Sequence, residues 1–186
     1  MTLLTGQLLV AMPQMRDPFF ARSVVYLSAH STETGAMGLI INKTIDSLTV
    51  DELYVQLKIN PVVRSNWPQP VHFGGPVAPG HAFVLHSADY REEKTLGIGD
   101  EFAITTTLDI LHAMGKGRGP RQYLLAVGYA GWGPGQLDAE IQANGWLVVT
   151  ADTSLVFDVE DDKKWYRALA KLGVSPEMLS AESGRA

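Results

Sequence analysis

YLLAVGYAGWGPGQLDAEIQANGW, residues 123–146, is the stretch on which the fold turns. Its first eight residues, Tyr123 to Ala130, are a continuous apolar run, the pattern of a central strand buried on both faces. Glycines then alternate at 131, 133 and 135, freeing the backbone for positive φ, and Pro134 with Gly135 turns the chain into a helix beginning near Gln136. Asp138 and Glu140 fall in the first turn of that helix, where carboxylates complement its dipole. Leu137 and Ile141 share one face and Gln136 and Glu140 another. Trp132 and Trp146, two of the four tryptophans, bracket the segment as anchors. Residues 128–146 hold no Ser, Cys, His, Lys or Arg, hence no nucleophile, no metal-ligand set and no counter-charge for phosphate. The acids would also repel an anion at the helix start, so the segment reads as a strand-turn-helix junction. Only the Gln136 and Glu140 face leaves room for a polar ligand, with Trp132 beside it.

Working outward, Gly6 to Met12 predicts a buried strand, and DPFFARS a single helical turn capped by Asp17 with Pro18 at its first position. Ser23 to His30 and Met37 to Asn42 predict a β-hairpin with a loop of six to seven residues. Thr49 and Glu52 form a capping-box pattern for a helix running to about Lys58. Residues 60–70, with three prolines, read as a mobile surface loop. VHFGGPVAPG interrupts one short strand before His81 to Ser87 starts another; its Gly74–Gly75 reads as a bend between strands. Strands are expected at 95–98 and 101–105, and a helix from Thr106 to Gly115. WLVVT and LVFDV read as two more strands. A helix over 161–172 carries Trp165, Tyr166, Leu169 and Leu172 on one side, and a short last helix opens at Ser175–Pro176. Strands outnumber helices without regular β-α alternation, which points to an α+β fold with a mixed or antiparallel sheet.

The 186 residues predict one domain, 1–186, with a frayed tail at 183–186. The absence of cysteine excludes disulfides, a zinc ribbon and a thiol nucleophile, and suits a reducing cytoplasm. No apolar run approaches the roughly 20 residues of a membrane-spanning helix, so no membrane association is expected. A formal net charge of -5 weighs against a nucleic-acid footprint. The one basic cluster, Lys116, Arg118 and Arg121, is the only candidate for direct DNA contact and ranks last. GKGRGP lacks the spacing and hydroxyl of a phosphate-binding loop.

No pair of the five histidines has metal-ligand spacing, so neither a metal nor a cofactor is expected. His81 and His86, five apart in a strand, lie on opposite faces and read as surface or rim residues. No GxSxG nucleophile motif occurs. An enzyme would have to assemble its site from residues distant in sequence, with Asp17, Asn42, His86 and Glu140 the candidates. A protein that binds a protein partner or small ligand ranks first, through Trp132, Gln136, Glu140, Asp17 and Asn42.

Taken in order, several segments resemble the AlgH/YqgE family of bacterial proteins. They are GQLLVAMPQMRDPFFARSVVYL (6–27), GAMGLIIN (35–42), FGGPV (73–77) with FVLHS (83–87), GYAGWGPGQLDAEI (128–141), NGWL (144–147), and LVFD (155–158) followed by Trp165 and ALAKLGV (168–174). Val127 stands before Gly128 where the family motif reads Leu. The resemblance implies an α+β fold whose bifurcated sheet forms a pseudo-barrel around packed helices. It implies no established enzymatic activity, only a transcriptional-regulator label. That label supplies no mechanism here, because the sequence has no helix-turn-helix or zinc-finger signal.

Overall fold

The computed structural model describes residues 4–62 and 69–182. The tail at 183–186 and most of the 60–70 loop lie outside the described residues. The strands are β1 (Gln7–Ala11), β2 (Val24–Ser31), β3 (Gly35–Ile40), β4 (Thr44–Thr49), β5 (Pro70–Phe73), β6 (Val77–Ser87), β7 (Leu96–Ile98), β8 (Phe102–Thr105), β9 (Tyr123–Trp132) and β10 (Trp146–Thr150). The helices are α1 (Val50–Gln56), α2 (Leu108–Gly115), α3 (Gln136–Gln142), α4 (Asp161–Lys171) and α5 (Pro176–Glu182). The fold is α+β, with a curled, largely antiparallel half-barrel sheet and packed helices.

The sheet runs β10-β1-β2-β3-β9-β6-β8-β7 and forks at β9. One edge of β9 pairs with β6 from Tyr123 to Tyr129. Its other edge pairs first with β5 in parallel, His72 opposite Ala126 and Phe73 opposite Val127, and then with β3 from Ala130 to Trp132. At the fork the Gly74 N–H donates to Val127 O and the Gly74 carbonyl accepts from Ile40 N–H. A Cβ on Gly75 would stand 2.1 Å from the Tyr129 backbone, and one on Gly128 2.3 Å from Gly75 O. FGGP is therefore more than a bend, because it threads backbone against backbone where the sheet divides.

Alternation along the strands feeds three cores. Leu8, Val10, Tyr26 and Leu39 pack under α4 with Trp165 and Leu169. Leu9, Val25, Leu27 and Ile40 face the other way, against Leu137 of α3 and the two tryptophans. Val71, Val84 and Leu125 pack beneath α1 and α2. The Thr49 capping box forms as expected, with both reciprocal bonds.

Four sequence expectations are corrected. The β2–β3 connection spans only residues 32–34, because Gly35 already pairs with Ser31. β4 was not anticipated. Its TIDSLT has no fully buried residue and pairs only with β5, so it carries little apolar signal. LVFDV is not a strand: Ser154–Asp158 forms one π-helical turn, started by the Leu155 N–H donating to the Asp152 carboxylate and closed by the Val159 N–H to Ser154 O. Tyr166 in α4 and Leu172 just after it are exposed, whereas Lys164 joins Trp165, Ala168 and Leu169 in the buried stripe.

Candidate functional site

The side chains of β5 alternate, so Val71 enters the core beneath α1 while His72 points across the sheet toward α4. Asp161 opens α4 and Lys164 follows one turn later, which sets both on one helical face. His72 Nε2 meets Asp161 Oδ2 at 2.9 Å, and Lys164 Nζ donates to Asp161 Oδ1 at 2.8 Å. The same ammonium donates to the Ile41 carbonyl at 2.8 Å, just past the end of β3. The Asp161–Lys164 pair thus joins α4 to β5 through the carboxylate and to the end of β3 through the ammonium. The side chains of His72 and Lys164 are only 7% and 3% exposed.

Burial opposes ionisation of Asp161, but the hydrogen bond and charge of His72, followed by those of Lys164, outweigh it and hold the carboxyl below its ordinary value. Lys164 behaves differently. Burial lowers its pKa, and the charge and hydrogen bond of Asp161 only partly offset that. Because the ionised Asp161 can only accept, His72 Nε2 carries the proton in this contact. His72 Nδ1 is buried and has no hydrogen-bond partner among the described residues.

This triad lines a cleft of about 210 Å³ whose other walls include Gln69, Tyr123, Asp158 and Glu160. The π-turn contributes Val156, Phe157 and Asp158. Single π-turns of this kind recur at functional sites, where they re-aim side chains that an α-helix would place elsewhere. Asp158 is held in place by Gln122 Nε2 at 2.9 Å.

The residues singled out from sequence lie elsewhere. Glu140 Oε2 accepts from the indole N–H of Trp132 and of Trp146, both at 2.9 Å, and its Oε1 accepts from Gln136 Nε2 at 2.8 Å. Gln136 Oε1 in turn accepts from Gly133 N–H. Asp17 Oδ1 accepts from the N–H groups of Phe19 and Phe20. Asn42 bridges the chain by accepting from Val24 N–H and donating to Arg22 O. Asp17 and Asn42 brace the turn that carries Phe20, and Phe20 packs on Trp132 and Trp146, the indoles that donate to Glu140. Each spends its side chain on internal bonds.

His86 does not join them. It is fully buried on β6, with Nδ1 at 2.8 Å from Ser87 O and Nε2 at 2.9 Å from Thr105 Oγ1, which corrects its reading as a surface residue. Burial pushes its pKa down, against the raising effects of the Ser87 carbonyl and of Asp89 and Glu92. In the basic cluster, Arg121 is paired with Asp89 at 3.4 Å, while Lys116 and Arg118 are exposed beyond α2. The described residues contain no group of three or more His, Asp or Glu arranged to hold a metal ion. No described helix is long and apolar enough to cross a membrane.

The sequence reading gives Asp161 and Lys164 no role, because it takes only the apolar side of this helix. The spacing carries a signal all the same: 161, 164 and 168 fall on one stripe with Trp165, and a lysine on such a stripe needs a buried counter-ion.

The family profile described as AlgH-like matches residues 8–177. A UPF0301 protein of Jannaschia sp. is 53% identical, over 98% of this chain and 95% of its own length. A UPF0301 protein of Rhodospirillum rubrum is 46% identical, over 98% and 94%. The solution structure of the AlgH protein from Pseudomonas aeruginosa superposes with a TM-score of 0.78 at 39% identity, over 100% of this chain and 97% of that one. A crystal structure of a Corynebacterium diphtheriae protein shares the fold, with a TM-score of 0.76 at 23% identity over 95% and 91%. With sequence matches that span nearly the whole chain and a solved relative of the same fold, the protein belongs to the AlgH-like family.

Proposed function

We propose that this protein is a regulatory or accessory protein that acts by holding a small ligand, or one side chain of a protein partner, in the cleft between β5, the π-turn and α4. One observation carries the reading: in a buried triad whose carboxylate and ammonium both bond within the protein, His72 Nδ1 is buried without a partner among the described residues, and all three residues line the cleft. A buried polar atom without a partner costs about 1–3 kcal/mol, and a ligand that bonds it recovers that energy. The Trp132, Gln136 and Glu140 surface, with Asp17 and Asn42, is the weaker proposal, because its polar atoms are occupied by protein donors and acceptors.

The test is a thermal-shift screen of small polar compounds on wild type and His72→Gln. Glutamine keeps an amide donor for Asp161 and removes the ring nitrogen. Compounds that raise the melting temperature of wild type and not of His72→Gln support the cleft. Hits that survive His72→Gln and vanish in Trp132→Phe or Gln136→Ala move the function to the α3 junction.

A further inference from the structure

Beside the cleft at His72 lies a second hollow, of about 400 Å³, which shares Gln69 and Tyr123 with it and is lined as well by Asp51, Tyr54 and Met114. Asp51, Tyr54 and Tyr123 lie close enough to affect one another. Burial, then Tyr123, then Asp51 push the Tyr54 phenol up to about 12, and burial followed by Asp51 raises that of Tyr123. Both phenols are therefore neutral, and both residues line the second hollow.

The charges along the two are unequal. Asp51, Asp158, Glu160 and Asp161 line the two compartments against a single lysine, Lys164, which Asp161 already pairs. Glu160 has Lys163 outside the cleft, which leaves Asp158 at one end and Asp51 at the other. The acidic lining alone would specify nothing. The independent observation is His72 Nδ1, a buried nitrogen without a partner among the described residues, in a ring whose Nε2 meets a carboxylate; in an imidazole that gives its single N–H to that carboxylate, Nδ1 is a lone pair, which only a donor can satisfy.

Resting on the cleft reading above, we infer that the groove takes an alkylammonium group, donating to His72 Nδ1 and lying among Asp158 and Glu160, with its hydrocarbon stem over Tyr123 toward Tyr54 and Asp51. A free aliphatic diamine and a lysine side chain of a peptide share this chemistry. The carboxylates favour the cation, and the aromatic faces accept both a methylene stem and a cationic head.

The experiment uses the full chain with ¹⁵N-labelled histidine at pH 8. The His72 ring nitrogens are followed by long-range ¹H–¹⁵N correlation while 1,5-diaminopentane, N-acetyl-lysine amide, acetate or 1-pentanol is added. The free protein is expected to show an unprotonated Nδ1 and a protonated Nε2. Either amine should shift Nδ1, and Asp158→Asn or Asp51→Asn should weaken that binding at least threefold without unfolding the chain. A response to the diamine alone assigns a free small molecule, and a response to the lysine amide a peptide side chain. If acetate or pentanol shifts Nδ1 and the amines do not, the ammonium assignment fails while the cleft stands. A protonated Nδ1 in the free protein, or amine binding indifferent to both aspartate variants, also overturns it. Silence from all four probes, with no cleft-dependent hit in the thermal-shift screen, removes both proposals.

Discussion

Replacing Glu140 by alanine should cost the protein about 2–4 kcal/mol, a figure that follows from counting donors. Its carboxylate accepts from Trp132 Nε1, Trp146 Nε1 and Gln136 Nε2. The two indoles sit in residues only 6% and 3% exposed, and each buried donor left unpaired costs about 1–3 kcal/mol. Two such donors give about 2–6 kcal/mol. Glu140 itself is half-buried, so water entering the vacated space satisfies part of the loss and favours the lower half of that range. Gln136 is exposed and adds little. Glu140→Gln keeps an oxygen toward the indoles but turns an amide donor toward Gln136 Nε2, and should cost about 1–2 kcal/mol. Urea unfolding followed by far-ultraviolet circular dichroism reads both values without relying on the altered tryptophans, and unchanged slopes would confirm a shared unfolded state. An alanine variant within about 0.5 kcal/mol of wild type would mean that the carboxylate is not the keystone of this junction. A glutamine variant as damaging as alanine would show that charge, and not acceptor count, matters.

Three further outcomes follow from other parts of the molecule. Asp161→Ala leaves Lys164 buried without its counter-ion and should destabilise by about 3–5 kcal/mol, whereas Lys164→Met together with Asp161→Leu should recover most of that loss; chemical denaturation of the single and double variants checks it, and a double variant no more stable than Asp161→Ala refutes it. Because the Asp161 carboxyl is held below its ordinary value in the fold, its contribution is present above the unfolded pKa of about 3.9 and is lost as pH falls through the lower folded value. Wild-type stability should therefore fall on acidification below about pH 4 more steeply than that of Asp161→Asn, with Asp89 and Asp152, also lowered, leaving a slope in both; parallel profiles would sink this assignment. Gly75→Ala places a methyl 2.1 Å from the Tyr129 backbone and should cost at least about 3 kcal/mol, the upper end for overpacking, as read from the shift in urea midpoint; a loss under about 1 kcal/mol would mean the fork is pliable.

Much of the secondary structure was legible because it rests on local chemistry. The Thr49–Glu52 capping box, the Asp17 turn and the Gly/Pro path into α3 each satisfy backbone groups within a few residues. The π-turn at Ser154–Asp158 was misread for the converse reason. A short apolar run buries equally well as a strand or a turn, and the choice depended on the Asp152 carboxylate reaching Leu155 N–H. His86 read as a rim residue because strand alternation gives a face and not a depth, and Thr105 on the neighbouring strand β8 and the Tyr90 ring pack beside it on that face.

By itself the sequence determined the α+β class, the buried central strand from Tyr123, the strand-turn-helix junction after it and the family, since these depend on hydrophobic period, turn chemistry and the order of motifs. It could also show that Gln136 and Glu140 share a helix face. Tertiary structure alone decided that this face is filled by two indole donors, and that the sheet forks where Gly75 meets β9. It likewise decided the candidate cleft, which joins His72 to an aspartate 89 residues away and Lys164 to a carbonyl 123 residues away. Pairings at that separation leave no local pattern, because they arise only when two elements are pressed together and a buried charge must find its partner in whatever the fold brings near.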